Sequence, residues 1–286
     1  MLKISAAGAE AVTALKKAFQ DRANLIVAEA ARTTAALKVP VLLPEMLAAF
    51  DRLFNDPVKT DPKCWGKTAI VKALAELDYD QSAPFLRGAS HIQMEPVWGG
   101  QEDAASALRA MSVLALVQCS DLLRVEKLRH VVEALSDRTD PVRVEAVRAL
   151  AQLGGDEAEL LLRLKARTGD SRPLIVGHVF DALLALNRRD SLGFVAGYLR
   201  SADAAPRDEA ALALGASRSA HAVRILMDAW DEAADREFRG VILRALSSSR
   251  DSGAIGFLLG LVKTGAAGDA ALAREALKLH RDLSLD

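Results

Sequence analysis

An apolar helical pattern recurs along this chain at intervals of 31 to 40 residues. Each copy ends in a leucine, which an alanine precedes in most copies. These leucines are Leu37, Leu74, Leu114, Leu150, Leu183, Leu214, Leu246 and Leu277. A second amphipathic segment lies between most consecutive copies, and a single pair of such short helices has too little core to fold alone. The chain is therefore predicted to be all-α, an α–α superhelix of about eight helical hairpins with no sheet.

The clearest copy of the pattern spans residues 140–155. Its apolar side chains follow the i, i+4, i+7 spacing of one helix face, with polar residues between them. Asp140 and Pro141 are typical of a helix start, and Gly154 and Gly155 are typical of a helix end. Signals for strands are scarce elsewhere, because alternating patterns and Asn-Gly or Asp-Gly turns are missing.

The motif in this copy is Asp140-Pro141-Val142-Arg143, followed by Ala146, Ala149-Leu150, Leu153-Gly154 and Asp156. Looser versions begin at Asp61-Pro62 and Pro206-Arg207. This motif resembles the HEAT repeat, especially the short bacterial kind also called PBS-lyase-like. The resemblance implies a solenoid in which the second helix of each pair lines a concave surface. It implies no particular activity, because HEAT repeats scaffold many unrelated partners.

The spacing also predicts how the chain is organised. We expect a single domain over residues 1–286, because no linker is long enough to separate two. Residues 1–135 contain longer, irregular repeats with connectors at 55–63 and 90–103, whereas residues 136–286 contain regular repeats.

Charge and composition exclude several classes of protein. The net charge is −1 and no third of the chain is strongly basic, which disfavours nucleic acid as a partner. No apolar run is long enough to span a membrane, and the N-terminal segment does not resemble a signal peptide. Cys64 and Cys119 belong to no metal-binding or redox motif and are expected to be buried thiols. These features favour a cytoplasmic protein without membrane contact.

The expected concave surface carries charges of both signs. Reading the second helices at the repeat spacing gives a candidate partner-binding groove formed by Arg109, Glu145, Arg148, His178, Asp181, Glu209, Arg244 and Glu275. Paired charges of this kind suit a protein or peptide partner, because they set register and specificity. The alternative is that these residues form ion pairs between repeats.

The connector at 90–103 is too apolar for a simple solvated loop. Trp65 and Trp98 lie at or just before the second helix in adjacent repeats, and His91, Gln93 and Glu95 lie in the same connector region. These five residues could frame a small ligand pocket. The alternative is a hydrophobic plug that fills the gap left by the longer repeats.

No residue is predicted to be catalytic, and no metal or cofactor is predicted. Trp65-Gly66-Lys67-Thr68 resembles the end of a phosphate-binding loop, but Asp61 replaces the required glycine. Glu126, His130 and Glu133 share one helix face without a fourth metal ligand. The sequence therefore favours a non-catalytic protein-binding scaffold. The alternative is a small-ligand-binding or lyase-like enzymatic protein that uses Trp65, His91 and Trp98.

Overall fold

A computed structural model describes residues 6–282, with side chains from Gly8 to Lys278. This part of the chain contains seventeen α-helices and one antiparallel pair of strands. In chain order they are α1 (Ala6–Phe19), α2 (Asn24–Ala36), α3 (Leu43–Arg52), α4 (Pro57–Thr60), α5 (Trp65–Glu76), α6 (Ala83–Ala89), β1 (Met94–Val97), β2 (Gly100–Asp103), α7 (Ser106–Ala115), α8 (Arg124–Ala134), α9 (Asp140–Leu153), α10 (Gly155–Thr168), α11 (Pro173–Leu186), α12 (Arg188–Gly197), α13 (Ala204–Ala216), α14 (Ala220–Glu232), α15 (Arg236–Ser248), α16 (Ser252–Thr264) and α17 (Ala267–Asp282).

The helical prediction is confirmed, but two of its details are wrong. The connector at 90–103 contains a two-stranded sheet, in which Met94 lies opposite Asp103 and Val97 opposite Gly100. The connector at 55–63 contains the short helix α4, which lies between α3 and α5 and has no place in a set of two-helix hairpins. A uniform set of eight two-helix hairpins therefore does not describe this part of the chain.

The chain divides into two compact units between Ala149 and Leu150. A single domain over residues 1–286 stays a prediction. In the first unit, α2 packs on α5 and α5 packs on α7, while α1 and α3 pack against this layer. The centre of this unit is built from fully buried aromatic and aliphatic side chains, among them Phe50, Ile70, Phe85 and Leu108.

The second unit has a layer formed by α11, α13, α15 and α17, each packed on the next. The helices α10, α12, α14 and α16 pack against this layer. Gly215 allows the close approach of α13 and α15, because a Cβ atom at this position would lie 2.2 Å from the Ala245 carbonyl oxygen. The absence of a side chain at Gly215 therefore sets how closely α13 and α15 approach.

Short polar signals begin and end many of these helices. Asp203, Asp235 and Asp251 each accept a hydrogen bond from a backbone N–H in the first turn of the helix that follows. Gly154 and Gly169 border α10 with φ values of 63° and 73°, a conformation that glycine adopts without strain.

Candidate functional site

Four charged or polar side chains of the predicted groove lie in the second unit without any ion pair. His178 and Asp181 belong to α11, Glu209 to α13 and Arg244 to α15. Asp181 and Arg244 are exposed, and His178 and Glu209 are half-buried. Among the described residues, none of the four has a hydrogen-bond or ion-pair partner for its side chain. Together with Glu275 on α17, we call these residues the second-helix face.

The carboxyl groups of this face are held in an unfavourable environment. Asp181 is exposed, yet the surrounding protein removes enough solvent to raise the pKa of its carboxyl, against the opposing effect of His178. Burial also raises the pKa of Glu209, and the negative charge of Asp181 adds to this effect. The Glu209 carboxylate lies directly over Gly177, where a Cβ atom would be 2.2 Å from Oε2. These two carboxylates repel each other, and no Lys or Arg side chain in the described residues forms an ion pair with either of them.

Two exposed leucines belong to the same surface, and the sequence analysis did not identify them. Leu174 precedes His178 and Asp181 at i, i+4, i+7 spacing, and Leu212 lies one turn beyond Glu209. Both leucines are exposed although their helices have large buried faces. The sequence could have identified both leucines, because their spacing places them on the same helix face as the charged groove residues. Exposed apolar side chains between charges are typical of a protein-binding surface.

Glu275, the last member of the face, is already paired. Its carboxylate accepts a hydrogen bond from Lys278 on the same helix at 3.0 Å, and both side chains are exposed. An exposed pair of this kind contributes little to stability, so a partner can break it at small cost.

The groove residues of the first unit have different surroundings. The Arg109 side chain is only 6% exposed and binds the carboxylates of Asp103 and Asp137. It is therefore a structural residue rather than a groove residue, which corrects its assignment. Glu145 is also buried, and its Oε1 accepts a hydrogen bond from Arg148 at 2.6 Å. Only Arg148 of these three residues is substantially exposed.

The predicted ligand pocket is replaced by a buried polar network around Gln93. The amide nitrogen of Gln93 donates to the Asp61 carbonyl oxygen at 2.9 Å and to Glu95 at 2.6 Å. Its amide oxygen accepts from Lys67 Nζ at 2.9 Å and from Cys64 Sγ at 3.1 Å. This network leaves Gln93 no free group for a ligand.

His91 belongs to the same network. Its Nε2 lies 3.1 Å from the amide oxygen of Gln93, and its ring packs edge-on against Phe54. Burial lowers the pKa of His91, although the contact with Gln93 acts in the opposite direction. The ring is therefore uncharged near neutral pH and serves packing.

The two tryptophans do not line an enclosed site. Trp98 occupies the turn of the hairpin and is fully exposed, and Trp65 is half in solvent. Trp65 packs instead under the ammonium group of Lys63. The plug interpretation also fails, because a plug would bury Trp98. The connector instead forms an exposed hairpin, residues 92–103, which we call the connector hairpin.

The remaining motifs of the sequence have structural roles. Lys67 is fully buried and forms an ion pair with Asp61, so its ammonium group cannot contact a phosphate. Glu126 accepts a hydrogen bond from the Leu123 N–H as part of a helix cap. No group of three or more His, Cys, Asp or Glu side chains in the described part of the chain is arranged to hold a metal ion.

Both cysteines are buried thiols, as predicted. Burial raises the pKa of Cys64 to about 12 and the pKa of Cys119 to about 11, so both are unreactive at neutral pH. Within residues 6–282, every helix is too short or too polar to cross a membrane.

A crevice of about 910 Å³ lies in the second unit beside α12 and α14. None of the predicted site residues lines it. Its rim carries the exposed ion pair between Arg200 and Glu232, and Gly193 and Gly197 form part of its wall. The crevice is open to solvent, and charged side chains such as Arg200, Asp228 and Asp231 line it together with apolar ones.

Comparison with known proteins supports the repeat interpretation. Residues 142–164 match the family model described as PBS lyase HEAT-like repeat. This match covers most of α9 and α10, the helices that flank Gly154. Residues 142–164 therefore form a HEAT-like repeat. No curated protein matches it in sequence.

Two solved structures are similar to this chain at low sequence identity. Human deoxyhypusine hydroxylase in complex with glycerol is 20% identical with a TM-score of 0.34, over 85% of this chain and 84% of the other. An engineered protein is 18% identical with a TM-score of 0.25, over 95% of this chain and 96% of the other. These values are too low for either structure to indicate a function.

Proposed function

We propose that this chain is a non-catalytic scaffold that binds a protein segment on the second-helix face. The observation that carries the proposal is that the side chains of His178, Asp181, Glu209 and Arg244 have no hydrogen-bond or ion-pair partner in the described residues. Several other charged side chains of the second unit form ion pairs between repeats, such as Arg207 with Asp235 and Arg239 with Asp269. The charges on the second-helix face contribute no such pairs, so they are available to a partner.

The chemistry of the face specifies what the partner segment carries. A Lys or Arg side chain placed beside Asp181 and Glu209 would relieve their mutual repulsion, and a Glu or Asp side chain would pair with Arg244. Apolar side chains would cover Leu174 and Leu212. A short segment with charges of both signs and apolar residues between them meets all of these requirements.

A ligand-binding or enzymatic role for the connector region is less well supported. Gln93 and His91 are occupied by the internal network, and Trp98 lies in solvent. No observation favours that role over the scaffold. The cytoplasmic location and the absence of nucleic-acid or membrane partners stay predictions from the sequence.

The test compares two charge reversals that differ only in position. Arg244→Glu changes the second-helix face, whereas Arg224→Glu changes α14, where Arg224 is also exposed and has no ion pair in the described residues. Chemical cross-linking in the host, followed by purification and quantitative mass spectrometry, measures the partners of each form. We expect Arg244→Glu to lose at least about 30-fold of the specific partner, because breaking a desolvated interface charge has that effect.

Melting curves provide the folding control, since both reversals should leave the melting temperature nearly unchanged. Equal recovery of the same partners by the wild type and both variants would contradict the proposal. Loss of the partner only in Arg224→Glu would place the site on the other layer of helices.

A further inference from the structure

The connector hairpin is held rigidly at its base. Gln93 fastens its start through the network with Lys67 and Asp61. Asp103 fastens its end, because its carboxylate accepts hydrogen bonds from the N–H groups of Gln93 and Ala105 and pairs with Arg109 at 2.7 Å. Burial opposes ionisation of Asp103, but these hydrogen bonds and the charge of Arg109 hold its pKa below the ordinary value. A two-stranded hairpin is only marginally stable alone, so this anchoring fixes it.

The first strand of the hairpin and its turn carry exposed apolar side chains. Trp98 has a relative exposure of 104%, and Ile92, Met94 and Val97 are exposed as well. Gly99 has a φ of 90°, so the turn depends on a glycine and presents the preceding tryptophan outward. A large aromatic side chain on a rigid support is the residue type that most often dominates a protein interface.

Within residues 6–282 no further strand pairs with the hairpin, and its β2 edge can accept one. The Ala104 N–H donates to the Gln93 carbonyl at 2.8 Å, which makes these two residues a hydrogen-bonded pair. Hydrogen-bonded and non-hydrogen-bonded pairs alternate along an antiparallel ladder, so Pro96 and Gln101 form no hydrogen bond with each other. Their backbone groups point away from the partner strand. Pro96 has no N–H to offer, so the β1 edge is blocked there. Gln101 offers both its N–H and its carbonyl on the β2 edge.

The charge of the hairpin specifies the kind of strand that fits. Residues 92–103 contain Glu95, Glu102 and Asp103 and neither Lys nor Arg. Glu95 and Glu102 lie directly opposite each other across the strands, an arrangement of like charges that is unfavourable. Glu95 is stabilised by the N–H of Lys63, but Glu102 is exposed and has no side-chain partner in the described residues. A basic side chain beside Glu102 would relieve this repulsion.

We propose that the β2 edge and Trp98 together bind an extended peptide segment of a partner protein, in which Lys or Arg alternates with apolar residues. The segment adds a third strand beside β2, with its basic side chains on the face of Glu102 and an apolar side chain against Trp98. An anionic membrane surface is the disfavoured partner, because the acidic residues around Trp98 would be repelled by it. This site lies in the first unit and does not depend on the second-helix face.

The experiment selects a random dodecapeptide library displayed on phage against the immobilised full chain, with Trp98→Ala as the counter-selection. We expect the enriched peptides to alternate basic with apolar residues. Their affinity, measured by fluorescence anisotropy, should fall at least about tenfold with Trp98→Ala and with Glu102→Lys. Emission from Trp98 should shift to shorter wavelength when the peptide covers it.

Two matched variants and one modified peptide make the test specific. Leu123→Ala removes an exposed apolar side chain and Glu133→Lys reverses an exposed acid, both in or beside α8, and both should bind as the wild type does. Methylation of alternate backbone nitrogens in the peptide should abolish binding, because it removes strand hydrogen bonds and keeps every side chain. Trp98→Ala should melt like the wild type, since Trp98 is not packed.

The proposal is overturned if no peptide is enriched above the bare support, or if enriched peptides bind Trp98→Ala unchanged. Enrichment of acidic peptides contradicts the charge argument, and tolerance of backbone methylation contradicts the added strand. Sedimentation with phosphatidylserine–phosphatidylcholine vesicles that depends on Trp98, without peptide binding, assigns the hairpin to lipid instead.

Discussion

The guanidinium of Arg109 donates hydrogen bonds from Nε and Nη2 to the two carboxylate oxygens of Asp137, which lies 28 residues further along the chain. The second unit repeats this relationship, with Arg207 bound to Asp235 at the same separation and Arg239 bound to Asp269 at a separation of 30. In each pair the arginine lies near the start of one helix. Its acidic partner lies near the start of a later helix, either just before that helix or in its first turn. Charged residues in this chain thus serve two purposes, and only those outside such pairs are candidates for binding a partner.

Replacing Arg109 should destabilise the protein strongly. Arg109→Ala leaves the carboxylates of Asp103 and Asp137 largely buried without their cation, which costs about 3–5 kcal/mol. Urea unfolding of the variant checks this value. Arg32→Ala is the control, because Arg32 and its partner Glu29 are both exposed and the loss of this pair should cost under about 1 kcal/mol. Equal stabilities for the two variants would contradict the structural role of Arg109.

Removing the charge of Lys67 should loosen the base of the connector hairpin. Lys67→Met leaves Asp61 buried without its ammonium partner and removes a donor from Gln93, at a cost of about 3–5 kcal/mol. Hydrogen exchange should show faster exchange of the Ala104 amide, which bonds to the Gln93 carbonyl. Lys72→Met lies on the same helix with an exposed side chain and should change neither quantity.

Two glycine-to-alanine substitutions in the second unit should have opposite signs. Gly215→Ala places a methyl group against the Ala245 carbonyl and should destabilise by about 1–3 kcal/mol or more, because the helices must move apart. Gly193→Ala lies in the interior of α12 with open space around it, and should stabilise by about 0.5–1 kcal/mol. Thermal melts distinguish these outcomes, and a gain in stability for Gly215→Ala would show that α13 and α15 are not closely packed.

Neutralising the carboxyl groups of the second-helix face should stabilise the folded chain. The folded pKa of Asp181 lies above its ordinary value of 3.8, so ionisation disfavours the folded state as the pH rises through this range. Asp181→Asn should therefore raise the melting temperature at neutral pH, and the gain should vanish below the ordinary pKa, where the wild-type carboxyl is protonated in both states. Glu209→Gln should behave similarly.

Melting temperatures of Asp181→Asn and the wild type across the acid range test this sign. Asp231→Asn on α14 is the control, since Asp231 is exposed at the end of its helix. A gain that persists unchanged in acid would mean that the effect does not come from ionisation.

The sequence predicted the helices well because apolar spacing reports directly on the buried face. The stripe through Val142, Ala146 and Leu150 is buried, as the spacing requires. Spacing could not show which charged residues outside the apolar face form ion pairs within the protein. Arg109 and Arg244 were both assigned to the groove, yet only Arg109 has two acids within reach. That difference depends on Asp103, which the hairpin places there.

The connector hairpin was missed because its strands are short and its apolar content resembled a buried plug. The signal was Gly99-Gly100, a pair that can form a tight hairpin turn between extended segments. Strand alternation was hidden, because Pro96 interrupts the first strand and the second strand is wholly polar. Tertiary anchoring through Gln93 and Asp103 stabilises a hairpin that its local sequence alone does not.

The two anchors of the connector hairpin also determine how it responds to mechanical load. A partner that pulls on Trp98 pulls on both strands, and the tension divides between Gln93 at one end and Asp103 at the other. Neither anchor can open without exposing the other, because the Gln93 N–H itself bonds to Asp103. The hairpin therefore transmits force to α5 and α7 without stretching. We expect both anchors to break together at a single force.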